Sequence, residues 1–305
     1  MKVWRIIEYI FLALIIGLIV YFVNLKTTLE LILTLDITFY LLALLLNLIL
    51  IFSMVMSLKF IFNTIKKISI NNWLTVYIPG FAVGLFLPGR AGDMTMIAIA
   101  KNKGYEIGQS TSLIIIDKIT TLLIYIPIAI IGFFTILHTK ELGWSIFFSF
   151  LLFMGLLFLF TKFGRNIIKK LLGKYAEKFS GFYKTFTSLL QNQKKAILLN
   201  ILMTLLRPIL NGLIMIIIFL SLGYNLSFFS AVIITTITLI VSIIPITPNG
   251  FGIREGLGII LLSEAGVPSE TTIAMYLILL SISCICTIIL YLYYLIISNY
   301  FKTLT

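Results

Sequence analysis

The sequence predicts an all-α, polytopic helical membrane protein from three observations: its composition, the length of its apolar stretches and the position of its charges. Of the 305 residues, 60% are hydrophobic and 11% are charged, and the mean hydropathy is +1.14. Soluble domains carry about 25% charged residues, so a soluble enzyme, a secreted disulfide scaffold and a disordered chain are excluded. Apolar stretches of about 20 residues match the length of a spanning helix and exceed that of a barrel strand.

About six stretches are long and apolar enough to be full membrane spans. They are Ile6–Val23, Ile37–Leu58, Leu113–Leu137, Gly143–Phe160, Ala196–Leu220 and Thr272–Ile297. No small-residue cleavage site follows the first stretch, so we expect it to be a retained helix and not a signal peptide.

Two further apolar regions, Trp73–Ala100 and Phe228–Ser263, are interrupted by proline and glycine clusters. Irregular backbone at membrane depth must be buried in protein or line a cavity. The segments after the breaks have only about 9–12 residues, too few to cross a hydrocarbon core of about 30 Å. Each region is therefore expected to form a re-entrant helical hairpin, although a pair of full crossings would give the same loop charges.

The charges set the expected orientation. If both broken regions return to their own side, 17 basic residues lie inside and only Lys26 and Lys140 lie outside, as the positive-inside bias requires. The N- and C-termini are then cytoplasmic in a multi-pass plasma-membrane protein. Residues 162–195 hold nine Lys/Arg between apolar positions, which predicts a cytoplasmic basic amphipathic segment on anionic inner-leaflet lipid. Since the basic residues flank spans, no nucleic-acid partner is expected.

The two broken regions resemble each other and divide the chain into equivalent halves. Each has a Pro/Gly cluster with an arginine, then a short apolar helix, a glycine and a long span. In the expected topology the spans that precede them are three crossings apart, so the halves have opposite orientation. Residues 1–305 are therefore interpreted as one transmembrane domain with an inverted repeat of 37–137 and 196–297, a layout used by many secondary transporters.

The start of the short helix after each break is a candidate anion site, because its backbone N–H groups are unpaired and its dipole end is positive. Glycines at the break allow the backbone to approach a bulky group, and arginines supply forked donors suited to phosphate. These candidate substrate-binding residues are Gly89, Arg90 and Gly92 in the first region and Gly250, Gly252 and Arg254 in the second.

Two carboxylates, Asp93 and Glu255, stand beside these arginines. They are candidates for the same binding site, because charged groups inside a membrane often serve function. The alternative is that Arg90–Asp93 and Arg254–Glu255 neutralise each other and cap their helices. The sequence leaves both interpretations open.

A second group of candidate substrate-binding residues lies in the long spans. Asp117 and Lys118 are adjacent, about 100° apart around a helix, so they do not pair with each other. Lys118 either reaches the headgroups by snorkelling or faces the site. Asp117 needs a cation, for which Arg90 and Arg207 are candidates. Arg207-Pro208 lies mid-span, where proline frees a backbone carbonyl and arginine can face a wet cavity.

No catalytic residue, metal site or cofactor is expected. His138 is the sole histidine. Cys284 and Cys286 are two positions apart in one predicted helix and are expected to face different sides of it. The largest segment outside the membrane, residues 162–195, is too short for a transferase domain. We therefore expect that the chain is not an enzyme.

The motifs resemble those of the lysylphosphatidylglycerol synthase transmembrane region family, a flippase-like domain. The likeness extends from about Ile6 to Ile297 and depends on Leu87–Asp93, Pro245–Gly256 and Ala265–Pro268. It implies translocation of a lipid with a phosphate-containing or aminoacylated headgroup: an aminoacylated phosphatidylglycerol, or a polyprenyl-phosphate or glycolipid carrier. It implies a stand-alone member without the catalytic domain of the fused proteins.

Two main hypotheses follow. The first is a lipid flippase in which Arg90, Arg254 and the two hairpin helix ends bind the headgroup phosphate while the tails stay in the bilayer. The second is a non-transporting membrane subunit that presents a lipid to a separate glycosyl- or aminoacyltransferase. A third is an ion-coupled carrier of a small soluble anion.

Overall fold

The computed structural model describes residues 24–87, 91–136, 191–242 and 250–302, together with positions 185, 188, 189 and 247. Within this part of the chain all regular structure is helical. The helices are α1 (Leu25–Leu33), α2 (Ile37–Phe62), α3 (Ile70–Phe86), α4 (Ala91–Asn102), α5 (Ile107–Ile136), α6 (Lys194–Ser221), α7 (Phe228–Ser242), α8 (Ile253–Ser263) and α9 (Ser269–Lys302).

Four of these helices are long and apolar enough to cross a membrane: α2, α5, α6 and α9. They coincide with four of the spans expected from the sequence. The other two expected spans, 6–23 and 143–160, lie outside the described residues, as does most of segment 162–195. The chain is therefore a multi-pass helical membrane protein.

The first three helices begin where the sequence supplies a capping side chain. Asn24 Oδ1 accepts hydrogen bonds from the backbone N–H groups of Lys26 and Thr27 at the start of α1. Asp36 Oδ1 accepts a hydrogen bond from Thr38 N at 2.7 Å at the start of α2. Ser69 Oγ accepts one from Asn72 N at the start of α3. Such caps satisfy N–H groups that have no partner inside the helix.

The two broken regions each form a pair of shorter helices, α3 with α4 and α7 with α8. At 1.5 Å per residue, the 17-residue α3 is about 25 Å long and the 11-residue α8 about 16 Å. All four helices are thus shorter than a hydrocarbon core of about 30 Å. Within each pair the helices pack on each other.

The long helices form the centre of the bundle. The most extensive contact joins α2 to α6, and α5 and α9 both pack against these two helices. The short helix α3 packs on α9, whereas α7 packs on α5. The first helix of each short pair therefore packs against the last long helix of the other half.

An aromatic cluster holds one end of the bundle together. The rings of Phe62 and Trp73 lie 4.6 Å apart, and Tyr105 meets Phe62 edge-on at 5.4 Å. Trp73 Nε1 donates a hydrogen bond to the Val55 carbonyl at 2.9 Å, and the Tyr105 hydroxyl donates one to the Lys66 carbonyl. Burial raises the pKa of Tyr105, which lies between α4 and α5. These contacts fix α3 and the α4–α5 connection on α2.

Three glycines bring α3 and α4 into backbone contact. A Cβ atom added to Gly92 would lie 2.5 Å from the Gly80 carbonyl oxygen and 2.8 Å from Gly84 Cα. The sequence suggested that Gly92 admits a ligand. The structure places it against the α3 backbone, and it also lines the cavity described below.

Gly92→Ala is expected to lower the free energy of unfolding by about 1–3 kcal/mol, because backbone atoms cannot yield to the added methyl group. The matched control is Gly256→Ala in α8, where an added Cβ meets nothing within 4 Å and removal of a helical glycine stabilises by about 0.5–1 kcal/mol. Thermal unfolding of both variants in one detergent measures the difference. Equal stability of the two variants would contradict the α3–α4 packing.

Candidate functional site

A cavity of about 290 Å³ lies where the two short helix pairs meet the long helices. All the helices from α2 to α9 contribute lining residues. The volume lies just below the range for ligand pockets, about 300–1,000 Å³, and suits a small polar group more than a whole lipid. We take this cavity, called the central cavity, as the candidate site.

Three charged residues from different helices line the central cavity: Asp93 of α4, Lys118 of α5 and Arg254 of α8. Asp93 Oδ1 and Lys118 Nζ are 3.6 Å apart. Lys118 is the twelfth residue of α5, about 17 Å along the helix. The structure therefore places Lys118 at the cavity, paired with Asp93. The described lining carries two cations and one carboxylate.

Arg254 is nearly enclosed, with 12% of its side chain exposed. Its guanidinium carbon lies 5.1 Å from the centre of the Tyr276 ring, and its Nε lies 3.8 Å from Glu255 Oε1. Among the described residues its guanidinium makes no hydrogen bond, and the buried Nε, although close to Glu255, has no hydrogen-bond acceptor. A guanidinium in this state has donors available for an anion.

The start of α8 is built by two glycines and Glu255. Gly250 and Gly252 have φ values of 75° and 85°, which residues with a Cβ atom rarely adopt. Gly252 N donates to Glu255 Oε2 at 2.5 Å. Glu255 therefore caps its own helix, one of the two interpretations that the sequence left open, and occupies an N–H group that was expected to face an anion. α8 contributes the Arg254 side chain to the cavity lining.

Asp117 and Arg207 form a separate buried network that does not line the central cavity. Their exposed fractions are 2% and 5%. Arg207 Nη2 lies 3.3 Å from Asp117 Oδ1, so Arg207 is the partner that Asp117 requires. The same oxygen accepts hydrogen bonds from Ser57 Oγ at 2.9 Å and Asn200 Nδ2 at 2.8 Å. Arg207 also contacts Ser57 and Thr121, so the network joins α2, α5 and α6.

Two cavity residues, Asn47 and Thr247, did not stand out in the sequence as site candidates. Asn47 is 4% exposed and Thr247 is 3% exposed, and among the described residues Asn47 Nδ2 and Thr247 Oγ1 have no hydrogen-bond partner. An amide in the middle of the apolar helix α2 is the signal that identifies the first. The second lies inside the Pro245–Gly256 motif. Two predicted site residues, Gly89 and Arg90, lie outside the described residues.

The arrangement is chemically suited to binding an anion. In the part of the chain that the structure describes, no three His, Cys, Asp or Glu side chains come together in a way that could hold a metal ion. The cavity instead offers guanidinium, ammonium, amide and hydroxyl groups.

The chain matches the family model described as Lysylphosphatidylglycerol synthase TM region over residues 5–290. No curated protein and no solved structure matches the chain.

Proposed function

We propose that this chain, which belongs to the lysylphosphatidylglycerol synthase TM region family, moves a lipid with a phosphate-containing or aminoacylated headgroup across the membrane. The observation that carries the proposal is the central cavity. It lies among helices of both halves and contains the Arg254 guanidinium, whose hydrogen-bonding capacity is unused within the described residues.

The lining of the central cavity supports a division between headgroup and tails. Arg254 and Lys118 supply positive charge for a phosphate. Much of the remaining lining is apolar, including Phe81, Leu239 and Leu279. A volume of about 290 Å³ accommodates a headgroup, so the acyl or isoprenoid tails stay in the bilayer during the crossing.

The packing of the helices supports alternating access between two inverted halves. Suppose that α2, α3, α4 and α5 of the first half correspond in order to α6, α7, α8 and α9 of the second. The α3–α9 contact then corresponds to the α5–α7 contact, and the α2–α9 contact corresponds to the α5–α6 contact. The short pairs α3–α4 and α7–α8 take the positions of re-entrant hairpins. Rocking of one half against the other then opens the cavity to each side in turn.

The remaining parts of the proposal concern the surroundings. Both termini face the cytoplasm of a plasma-membrane protein, and segment 162–195 contacts anionic inner-leaflet lipid. The protein acts without a catalytic step of its own.

The proposal is tested by closing the cavity. Ser283 lines the cavity from α9, and Ile288 on the same helix is 58% exposed on the outside of the bundle. Ser283→Phe places a ring in the cavity, whereas Ile288→Phe places the same ring on the outer surface. In proteoliposomes with fluorescent phosphatidylglycerol, we expect Ser283→Phe to slow translocation at least about tenfold, equivalent to about 1.4 kcal/mol in the barrier.

Ile288→Phe is expected to translocate lipid at the wild-type rate. Equal rates for the two variants would rule out passage through this cavity. Wild-type protein that retains lipid but moves it no faster than protein-free liposomes would favour a subunit that presents lipid to a transferase.

A further inference from the structure

We infer that the central cavity selects an anionic headgroup that carries hydroxyl groups, and rejects a headgroup that ends in an ammonium. This inference deepens the proposed function and rests on it, because it takes the central cavity as the headgroup site. It is carried by the state of the hydrogen-bonding groups that line the cavity.

The unpaired polar groups at the cavity are mainly donors. Asn47 Nδ2 and Arg254 Nε are buried N–H groups without hydrogen-bond partners among the described residues, and the Thr247 hydroxyl also lacks a hydrogen-bond partner there. All three line the central cavity, from α2, α8 and the connection before α8. Buried donors left unpaired are unfavourable, so a ligand with acceptor oxygens is stabilised here. Phosphate oxygens are such acceptors.

The carboxylates near the cavity are already engaged. Asp93 Oδ1 faces Lys118 Nζ at 3.6 Å. Glu255 Oε2 accepts from Gly252 N, and Glu255 Oε1 lies 3.8 Å from Arg254 Nε. Each of these carboxylates already has a cation within 4 Å, so an ammonium would enter as an additional cation without an anion of its own among the described lining residues. A buried cation without a paired anion is unfavourable, so a lysylated headgroup is disfavoured.

Neutral acceptors at the cavity suit headgroup hydroxyls. Ser242 Oγ and Ser283 Oγ donate to carbonyls of their own helices, at 2.7 Å and 2.8 Å, which leaves their oxygen lone pairs as acceptors. Asn211 Nδ2 donates to the Arg207 carbonyl at 2.8 Å, so its carbonyl oxygen remains. Glycerol and sugar phosphates combine the phosphate oxygens and the hydroxyls that these groups bind.

The test is a competition for binding, measured by native mass spectrometry in detergent with equal amounts of phosphatidylglycerol and lysyl-phosphatidylglycerol. Wild-type protein is expected to retain phosphatidylglycerol in at least about tenfold excess, equivalent to about 1.4 kcal/mol. Asn47→Asp adds a carboxylate to the cavity at nearly constant volume. It is expected to reduce this excess at least about tenfold or reverse it.

The matched control is Asn63→Asp, the same change at the end of the same helix. Asn63 does not line the cavity, and its Oδ1 accepts from Ile68 N at 3.0 Å, a bond that aspartate retains. The control is expected to keep the wild-type preference. A loss of folding lowers binding of both lipids, whereas an altered ratio reports headgroup selection.

Equal or preferential retention of the lysylated lipid by wild-type protein would overturn the inference, as would the same ratio in Asn47→Asp and Asn63→Asp. The proposed function and this inference can be refuted independently of each other. If proteoliposomes show no translocation while the binding preference is present, translocation is refuted and the selectivity stands. If they show translocation with a preference for the lysylated lipid, translocation stands and the selectivity is refuted.

Discussion

Asp117→Ala is expected to lower the free energy of unfolding by about 3–5 kcal/mol, the largest stability effect of any single substitution considered for this chain. The substitution leaves the Arg207 guanidinium, 5% exposed, without the carboxylate that lies 3.3 Å away. Ser57 and Asn200 lose the same acceptor. Three long helices, α2, α5 and α6, therefore lose their shared polar contact.

The measurement is thermal unfolding in detergent, followed by intrinsic fluorescence, together with the yield of monodisperse protein. Glu30→Ala is the control, because Lys26 and Glu30 form an exposed pair whose side chains are 87% and 64% accessible. Exposed pairs contribute about 0–1 kcal/mol. If Asp117→Ala is no less stable than Glu30→Ala, the buried network does not hold the helices together.

Removing both charges provides a second check on the network. In Asp117→Leu/Arg207→Met, apolar side chains of similar size replace the pair, and such replacements are often neutral or stabilising. We expect the double variant to be more stable than Asp117→Ala and to keep transport, because neither residue lines the central cavity. Loss of transport in a stable double variant would show that the pair takes part in translocation.

Arg254→Gln is expected to slow translocation of phosphatidylglycerol about ten- to hundredfold, which corresponds to loss of charge-assisted hydrogen bonds of about 1.5–3 kcal/mol. Gln keeps a polar side chain at the cavity but removes the positive charge. The contact with the Tyr276 ring is also lost, a stability cost of about 2 kcal/mol or less. Transport measured on folded protein, with stability measured in parallel, separates the two effects.

Arg254→Lys is the matched control for charge. Lysine keeps the charge but lacks the planar fork that binds two phosphate oxygens, so an intermediate rate is expected. For Arg90→Gln together with Arg254→Gln, the sequence predicts that transport is abolished while the protein still folds. Unchanged transport in Arg254→Gln would remove Arg254 from the binding site.

The long helices and the breaks between them were predictable because hydropathy dominates in a membrane. Four apolar stretches coincide with α2, α5, α6 and α9. The short helix α4 begins at Ala91, within the first Pro/Gly cluster that the sequence identified as a break, and α8 begins at Ile253, directly after the second cluster. Helix starts are local features, since proline and glycine control them through φ and missing donors.

The partners inside the site were not predictable to the same degree. Asp117 evidently needed a cation, but the choice of Arg207, and the contribution of Asn200, depend on how α5 and α6 pack. From the sequence, Glu255 could either bind a ligand or cap its own helix, and only its distance to Gly252 N in the structure identifies it as a cap. Asn47 became a candidate once the helices placed its unpaired amide at the cavity. Tertiary packing, which no local pattern specifies, decides each of these.

The central claim is that a lipid headgroup occupies the central cavity. Its most direct test is photo-cross-linking of an anionic lipid with a photoactivatable headgroup to the reconstituted protein, followed by peptide mapping. We expect adducts on cavity residues such as Met54 and Phe251, and their loss in Arg254→Gln. Adducts confined to outward-facing residues such as Leu41 and Ile288, and unchanged in Arg254→Gln, would contradict the claim.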